Sequence, residues 1–587
     1  MARNLLTRPF SEPYLMFVFL ARKSALRTSF RCSQGAVFRR LGQRYASSQT
    51  TATSTLSLRR GLRAGLSGSL IVLVGTGLLG FNRVYADSQI LDDDKGGVDG
   101  PTSRDSLGKL LRTYIVYSMC SIPGLIDAAP RMLDMLTSVP LVREVTQAFV
   151  RITFFDQFVG GDTAQQVVPL LRDFRSNNMG ALFAYSIEVD EKEATLSTSE
   201  KKDTEEPTYR RIVNEMIHSI DVAADFEDEI AGNALIGRRT WVAVKMTALL
   251  PDAQSLVNLS SHVIATRKPP SIPFPGCPRP TDLEVLYRDS LPTSCPLTPE
   301  DVVSLRELHA NLRRICTRAK ERGVKIILDA EYSWYQPAID ALQLSLMREF
   351  NKYEDGKSIQ PLVYGTFQAY LRRTLSYLAQ SFEDADRNRY ILGVKLVRGA
   401  YHPFEVAAQE ARIAGESSMA ISPDIQPPVW TSKEETDRCY NECAKVLIQR
   451  IKQDIESSTT ERQHIGVLFG THNWTSIRLI LKELVKSGLA SVEGDIENGV
   501  VTIPDEVTER LTMGQLYGMN DALSDYLVQR TKSSVPMVIK YVPYGALSEV
   551  MPYLSRRAIE NKSVLDNRTA EAERRRAGKQ IWARLFG

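Results

Sequence analysis

Acidic side chains are almost missing from the first 86 residues of this 587-residue chain, where Glu12 stands against thirteen Lys and Arg. That stretch carries +12 inside a formal total of +4, so the remaining 501 residues sum to −8. The near-neutral total argues against nucleic acid as a partner, and the split says more than the sum. A start of about 55 residues rich in Arg, Ser and Thr and nearly free of acids has the composition of a mitochondrial transit peptide, because the membrane potential draws positive charge inward. Leu5, Leu6, Phe17, Phe19 and Leu20 are scattered through it, which a phosphate-binding arm does not need.

An apolar run of comfortable membrane-spanning length is also missing. Residues 66–81 are uncharged and flanked by Arg59, Arg60, Arg63 and Arg83, but sixteen residues make a helix of only about 24 Å against a hydrocarbon core of about 30 Å. The segment reads as a short inner-membrane anchor or sorting signal, or as part of the leader. Gly75, Gly77 and Gly80 within it match G-x-G-x-x-G, yet no second apolar strand ending in an acid follows, so a dinucleotide fold is not expected. Residues 56–105 therefore read as a linker. The seven cysteines do not read as a disulfide framework in a matrix-targeted chain. Cys439 and Cys443 share a helix face at i, i+4, but no nearby His or Cys completes a zinc set, and no metal is expected.

What is present is globular. Hydrophobic residues make up 43% and charged residues 24%, which excludes a wholly disordered or collagen-like chain. Residues 106–175 have helical periodicity. Eight apolar, strand-length runs follow, at 180–189, 240–249, 323–331, 361–369, 391–400, 464–472, 511–518 and 536–544, separated by helical stretches. Continuous apolar strands alternating with helices imply a parallel sheet covered on both faces, and eight in succession imply a closed (β/α)8 TIM-like barrel over 176–565. The longer spacings hold insertions: a charged, Ser/Thr-rich excursion at 191–207, expected to be mobile, and a segment at 269–300 with nine prolines. A basic helix is expected over 566–587, with Arg574, Arg575, Arg576 and Trp582 suited to an anionic surface.

In such barrels the reactive groups gather at the C-terminal ends of the strands. Lys245 lies late in the second run, Asp329 and Glu331 end the third, and Gln368 ends the fourth. Lys395 and Arg398 close the fifth, Thr471 and His472 the sixth, and Tyr541 lies in the eighth. Polar groups at one end of six strands are hard to explain as packing, since burying them unpaired is costly. Beyond the last strand, Tyr553, Arg556, Arg557 and Glu560 share a helix, and two adjacent guanidiniums suit bidentate capture of a carboxylate or phosphate.

The strings LDAE (328–331), KLVRGAY (395–401), GTHN (470–473) and YVPYG (541–545) with YLSRRAIEN (553–561) resemble, in order and spacing, the mitochondrial proline dehydrogenase (proline oxidase) family. The likeness runs from about 158 to 565. It implies an FAD-dependent barrel that oxidises L-proline to Δ1-pyrroline-5-carboxylate and passes electrons to ubiquinone, on the matrix side of the mitochondrial inner membrane. It implies that Arg556, Arg557 and Lys245 clamp the proline carboxylate, that Tyr541, Tyr553 and Leu396 surround the ring, and that Asp329, Lys395 and Tyr541 are catalytic. For the cofactor it implies Ala330, Gln368, Lys395, Arg398, Gly399, Ala400, Thr471, His472 and Glu560. Two positions depart from the bacterial relatives: Lys395 replaces an Arg, losing the planar fork, and His402 replaces a Trp, which weakens adenine stacking.

Three alternatives stay open at this point. Hydroxyproline dehydrogenases carry a smaller residue at the position of Tyr541, so Tyr541 favours proline. A (β/α)8 Schiff-base lyase or aldolase would use Lys245, Lys395 or Lys540 as a desolvated nucleophile. A non-catalytic membrane-bound scaffold gives no reason for the arginine pair and the strand-end acids to occur together.

Overall fold

The computed structural model describes residues 105–586 apart from short breaks at 188–205, 233–236, 268–271, 354–359, 458–463, 564–568 and several positions in 123–137. The leader, the linker with its 66–81 segment, and the 191–205 part of the charged excursion lie outside the described residues.

Eight parallel strands close into a barrel: β1 (Met179–Tyr185), β2 (Thr240–Val244), β3 (Ile326–Leu328), β4 (Val363–Gln368), β5 (Leu392–Val397), β6 (Ile465–Gly470), β9 (Leu511–Leu516) and β11 (Val538–Tyr544), in the circular order β1-β11-β9-β6-β5-β4-β3-β2. Each falls inside one of the eight runs picked out by hydropathy, except that β1 begins one residue earlier, at Met179. Three short strands were not anticipated: β7 (Ser491–Glu493), β8 (Val500–Thr502) and β10 (Thr531–Lys532) form a separate sheet beside the barrel. They are two or three residues long and carry no apolar run to betray them.

Alternation along the barrel strands separates two cores. Leu182, Trp241, Ile327, Tyr364, Leu468 and Ile539 fill the lumen, with Trp241 stacked on Tyr364 at 5.2 Å. Phe183, Val242, Leu328, Phe367, Val394 and Leu396 belong to the outer core against the helices. The N-terminal end is plugged by the buried Arg239, which donates to the carbonyls of Pro536 (2.8 Å) and Thr508 (2.7 Å).

The covering helices start and stop where local chemistry dictates. In the 24-residue helix Pro299–Arg322, Thr298 Oγ1 accepts from the Asp301 N–H and Asp301 accepts in return from the Thr298 N–H, while Gly323 ends it at φ +66°. Within the proline-rich insertion, residues 272–298 hold a 3-10 helix (Pro280–Tyr287) and otherwise irregular backbone.

Two terminal helices close against the mouth. Leu107–Cys120 packs on Thr569–Phe586 through Leu110, Tyr114, Ala577 and Ile581. The loop after β9 is clasped by this N-terminal region: the Gly518 carbonyl accepts from Tyr117 Oη (3.0 Å) and Gln157 Nε2 (2.9 Å). Gly518 has φ +72°, and a Cβ there would lie 1.7 Å from the Gln157 carbonyl oxygen. Gly518→Ala is therefore expected to cost roughly 2–4 kcal/mol, because a left-handed backbone and an immovable neighbour oppose it together. Chemical denaturation of the two proteins checks this, and equal midpoints would contradict it.

Candidate active site

Lys395 and Tyr541 project from β5 and β11 at the open end, and Asp329 sits one residue past β3, held by its own N–H donating to the Val244 carbonyl (3.0 Å). The three meet. Lys395 Nζ lies 2.5 Å from Asp329 Oδ1, and Tyr541 Oη donates to Asp329 Oδ2 at 2.9 Å. The ammonium also lies 5.1 Å from the centre of the Tyr541 ring. Asp329 and Lys395 are both under a tenth exposed. Burial, reinforced by the Asp329 charge, pushes the Tyr541 phenol well above its ordinary range, so it remains a donor.

Beside them lies a second buried carboxylate. Glu331 accepts from the Thr247 N–H (3.1 Å) and hydroxyl (2.6 Å), and burial raises its pKa while Lys245 opposes the rise. Lys245 stands just beyond β2, half-buried; Asp329, Ala330 and Glu331 lie beyond β3 rather than in it, because β3 is only three residues long. Gln368, at the end of β4, donates to the Glu331 carbonyl (3.2 Å) and lies 3.4 Å from Tyr370 Oη.

The arginine pair comes from the helix Met551–Ser563. Arg556 Nη1 donates to Tyr401 Oη (3.3 Å), and its guanidinium lies 5.6 Å from the Tyr401 ring centre. Arg557 is 5% exposed and lies over the buried Tyr553 at 4.9 Å. Glu560 belongs to the same helix, but its side chain lies outside the described residues.

On the other side of the mouth, Arg398 is fully engaged: it donates to Asp437 (2.6 Å), Thr471 Oγ1 (2.7 Å) and Ser476 Oγ (2.8 Å) and packs over Tyr440 at 4.3 Å. Gly399 has φ +119°, and a Cβ there would lie 2.6 Å from the Tyr370 ring, so only glycine lets the chain leave β5 this close to the aromatic floor; Ala400 beyond it is exposed. His402 contacts the Trp430 carbonyl through Nε2 (2.7 Å).

His472 is the informative member. Its Nε2 accepts from the Leu516 N–H (3.1 Å), which puts the ring proton on Nδ1. Burial, with Lys540 and Arg557 nearby, pushes its pKa down to about 3, so the ring is neutral at ordinary pH. Nδ1 is buried and has no partner among the described residues. A buried donor aimed at no protein acceptor fits a bound group carrying acceptor atoms.

One residue is not brought to this mouth. Leu396 follows Lys395 and so faces the opposite way, fully buried in the helix-side core. Lys540 likewise points outward, 2.8 Å from Asp521. Tyr401 and Glu405 received no role from sequence. Tyr401 stands in the KLVRGAY string, but only the last helix shows what it meets: Arg556 on one side and the Tyr332 ring at 4.2 Å on the other.

Glu405 is buried and accepts from the Ser333 N–H (2.7 Å) and hydroxyl (2.5 Å), with Tyr370 Oη at 3.5 Å. Burial raises it to about 7 despite these donors, and burial does the same to Glu573 on the last helix despite Arg576. Both folded values exceed the unfolded carboxyl value of about 4.3, so each contributes stability that is fully present below that pH and is lost as pH rises through about 7. Glu405→Gln is expected to flatten this part of the profile, by on the order of 3 kcal/mol between the two ends. Denaturation at a series of pH values from acid to neutral checks this; parallel profiles for the two proteins would contradict it.

The sequence profile described as proline dehydrogenase matches residues 184–569. The chain belongs to the proline dehydrogenase family. Its curated relatives include "Proline dehydrogenase 1, mitochondrial" of Dictyostelium discoideum, 28% identical over 82% of this chain and 73% of that one, and the protein of the same description in Arabidopsis thaliana, 27% identical over 78% and 80%. A hydroxyproline dehydrogenase of Bos taurus is also 28% identical, over 82% and 91%. Among solved structures, proline utilization A of Bdellovibrio bacteriovorus, inactivated by N-propargylglycine, superposes with a TM-score of 0.51 at 19% identity, which speaks to the fold; the match covers 85% of this chain and 43% of that one. Family membership makes the protein an oxidoreductase acting on proline.

Proposed function

We propose that the chain is a mitochondrial, FAD-dependent L-proline dehydrogenase that forms Δ1-pyrroline-5-carboxylate and delivers electrons to ubiquinone on the matrix side of the inner membrane. Beyond family membership, the reading is carried by one observation: Asp329 joins Lys395 and Tyr541 at the barrel mouth where the arginine pair and two tyrosines also converge. The proline carboxylate is the anion for Arg556 and Arg557, with Lys245 at the third side. Tyr541 and Tyr553 offer faces for an apolar five-membered ring, and Tyr541 cannot swing away without losing its bond to Asp329.

The ring nitrogen must be neutral before hydride leaves the adjacent carbon, and holding the carboxylate at a fixed point orients that carbon. A flavin, when bound, supplies the acceptor for the hydride. Gln368, Lys395, Arg398, Gly399, Ala400, Thr471 and His472 would hold it, with Ala330 and Glu560 as further candidates, and the unpartnered His472 N–H is the feature that fits such a group. Arg398 is held rigid by three protein acceptors, so it would meet the cofactor without reorganising.

Hydroxyproline is the second reading, because hydroxyproline dehydrogenases match this chain about as well as proline dehydrogenases do. Tyr541 favours proline, since hydroxyproline dehydrogenases carry a smaller residue at its position and its hydroxyl here is engaged with Asp329. A Schiff-base mechanism fits poorly: Lys395 Nζ lies 2.5 Å from Asp329 and Lys540 Nζ lies 2.8 Å from Asp521, so both nitrogens are engaged by carboxylates. The test is spectroscopic. Purified protein is expected to show flavin absorption that L-proline bleaches under anaerobic conditions, with trans-4-hydroxy-L-proline far slower. A colourless protein after FAD reconstitution would sink the assignment.

A further inference from the structure

Exposed apolar side chains among the described residues gather on neighbouring segments at the two ends of the described chain. Leu107, Leu111 and Ile115 repeat every four residues along the helix Leu107–Cys120, on the flank beside the buried Leu110, Tyr114 and Tyr117, at 36, 40 and 42% exposed. Leu141, Val145 and Ile152 continue the pattern on the helix Pro140–Val150 and the turn after it, at 68, 52 and 62% exposed. Leu585 and Phe586 end the last helix at 52 and 71%. These segments touch one another: the first helix packs on the last, and its Val116 and Cys120 share a core with Val150 and Phe155. The buried residues already account for the packing of these helices on one another, and the exposed apolar residues extend that surface outward into solvent.

The same region is basic. The helix Thr569–Phe586 carries Arg574, Arg575, Arg576, Lys579 and Arg584 against Glu571 and Glu573, with Arg575 paired to Glu571 and Arg576 to Asp525, and Arg143 is exposed beside Glu144 between Leu141 and Val145. Among the described residues no helix is long and apolar enough to cross a membrane. We propose that this face seats the protein on the surface of an anionic lipid bilayer, its apolar stripes entering the headgroup boundary and its cations meeting lipid charge. The inference rests on the reading that the electron acceptor is a membrane quinone, and it names the surface that reaches it. A second copy is disfavoured because a two-fold contact would set the same basic helix against itself. The chain's own 66–81 segment is disfavoured because four arginines flank it.

The seat lies next to the chemistry. The core that joins these helices also contains Tyr553, Leu554 and Ala558 of the helix that bears Arg556 and Arg557. The bilayer face and the substrate helix are thus two sides of one packing unit.

The experiment is co-sedimentation of the full chain with phosphatidylcholine vesicles, with and without phosphatidylglycerol. Binding is expected only with the anionic lipid. The combined variant Leu111→Glu, Ile115→Glu, Leu585→Glu and Phe586→Glu is expected to weaken binding at least about tenfold, the change that roughly 1.4 kcal/mol produces. L-proline turnover with a water-soluble dye acceptor is expected to stay unchanged, because these side chains face away from the site. If that variant fails to fold, Arg143→Gln with Lys579→Gln reads the same surface through charge and is expected to bind more weakly. Equal binding to neutral vesicles, undiminished binding by the folded variants, or a dimer in the parent that the variants turn to monomer would each overturn the proposal. Failure of dye-linked turnover in the parent protein counts against the proline-oxidising reading instead, and leaves the vesicle result standing.

Discussion

Asp329→Ala is expected to lower kcat/KM for L-proline roughly 100- to 1,000-fold, the largest loss from any single substitution at this site. The carboxylate hydrogen-bonds both Lys395 on β5 and Tyr541 on β11, through contacts of 2.5 and 2.9 Å. Removing it leaves a buried ammonium without its counter-charge and a buried phenol without its acceptor. Breaking a buried pair by deleting one partner costs about 3–5 kcal/mol, and each 1.4 kcal/mol that reaches the transition state is about tenfold in rate. Asp329→Asn keeps an acceptor for Tyr541 but not the charge, and should fall between Ala and the parent. Steady-state kinetics with a soluble acceptor, alongside flavin content, measures this; an Ala variant within about threefold of the parent would show that the triad is only structural.

Arg556→Met is expected to raise the KM for proline about 10- to 150-fold with a smaller change in kcat. A charge-assisted hydrogen bond to a carboxylate is worth about 1.5–3 kcal/mol, and Arg556 also anchors Tyr401 through its 3.3 Å contact, so both the anion and its aromatic wall lose support. Arg557→Met should act in the same direction and cost more stability, because Arg557 is 5% exposed and packs over Tyr553. Lysine at position 556 should recover only part of the loss, since a point charge lacks the planar fork. Initial rates over a wide range of proline concentration decide it: a kcat loss at constant KM would remove Arg556 from carboxylate binding.

How much of this could be read from sequence varies from element to element. The runs that became β5 and β6 are buried on both sides, so their apolar character is continuous and their chemistry is left at the ends, where Lys395, Arg398, Thr471 and His472 stand out. β3 was harder. Its run extends to Glu331, but the strand stops at Leu328, which puts Asp329 and Glu331 in the loop that faces the site. Leu396 shows the limit of a motif: a string names neighbours along the chain, whereas a strand sends successive neighbours to opposite faces.

The sequence alone determined the barrel and the contrast between a basic first 86 residues and an acidic remainder, because hydrophobic period and charge are local properties of the chain. It could not determine which charges pair. Asp329 and Lys395 are 66 residues apart, Asp329 and Tyr541 are 212 apart, and Arg556 and Tyr401 are 155 apart. Nor could it show that the His472 proton lies on Nδ1, or that a second apolar face remains outside the packed helices. Those facts belong to closure of the barrel and the docking of its two terminal helices, which bring distant residues within hydrogen-bond reach and decide which side of each helix is left over.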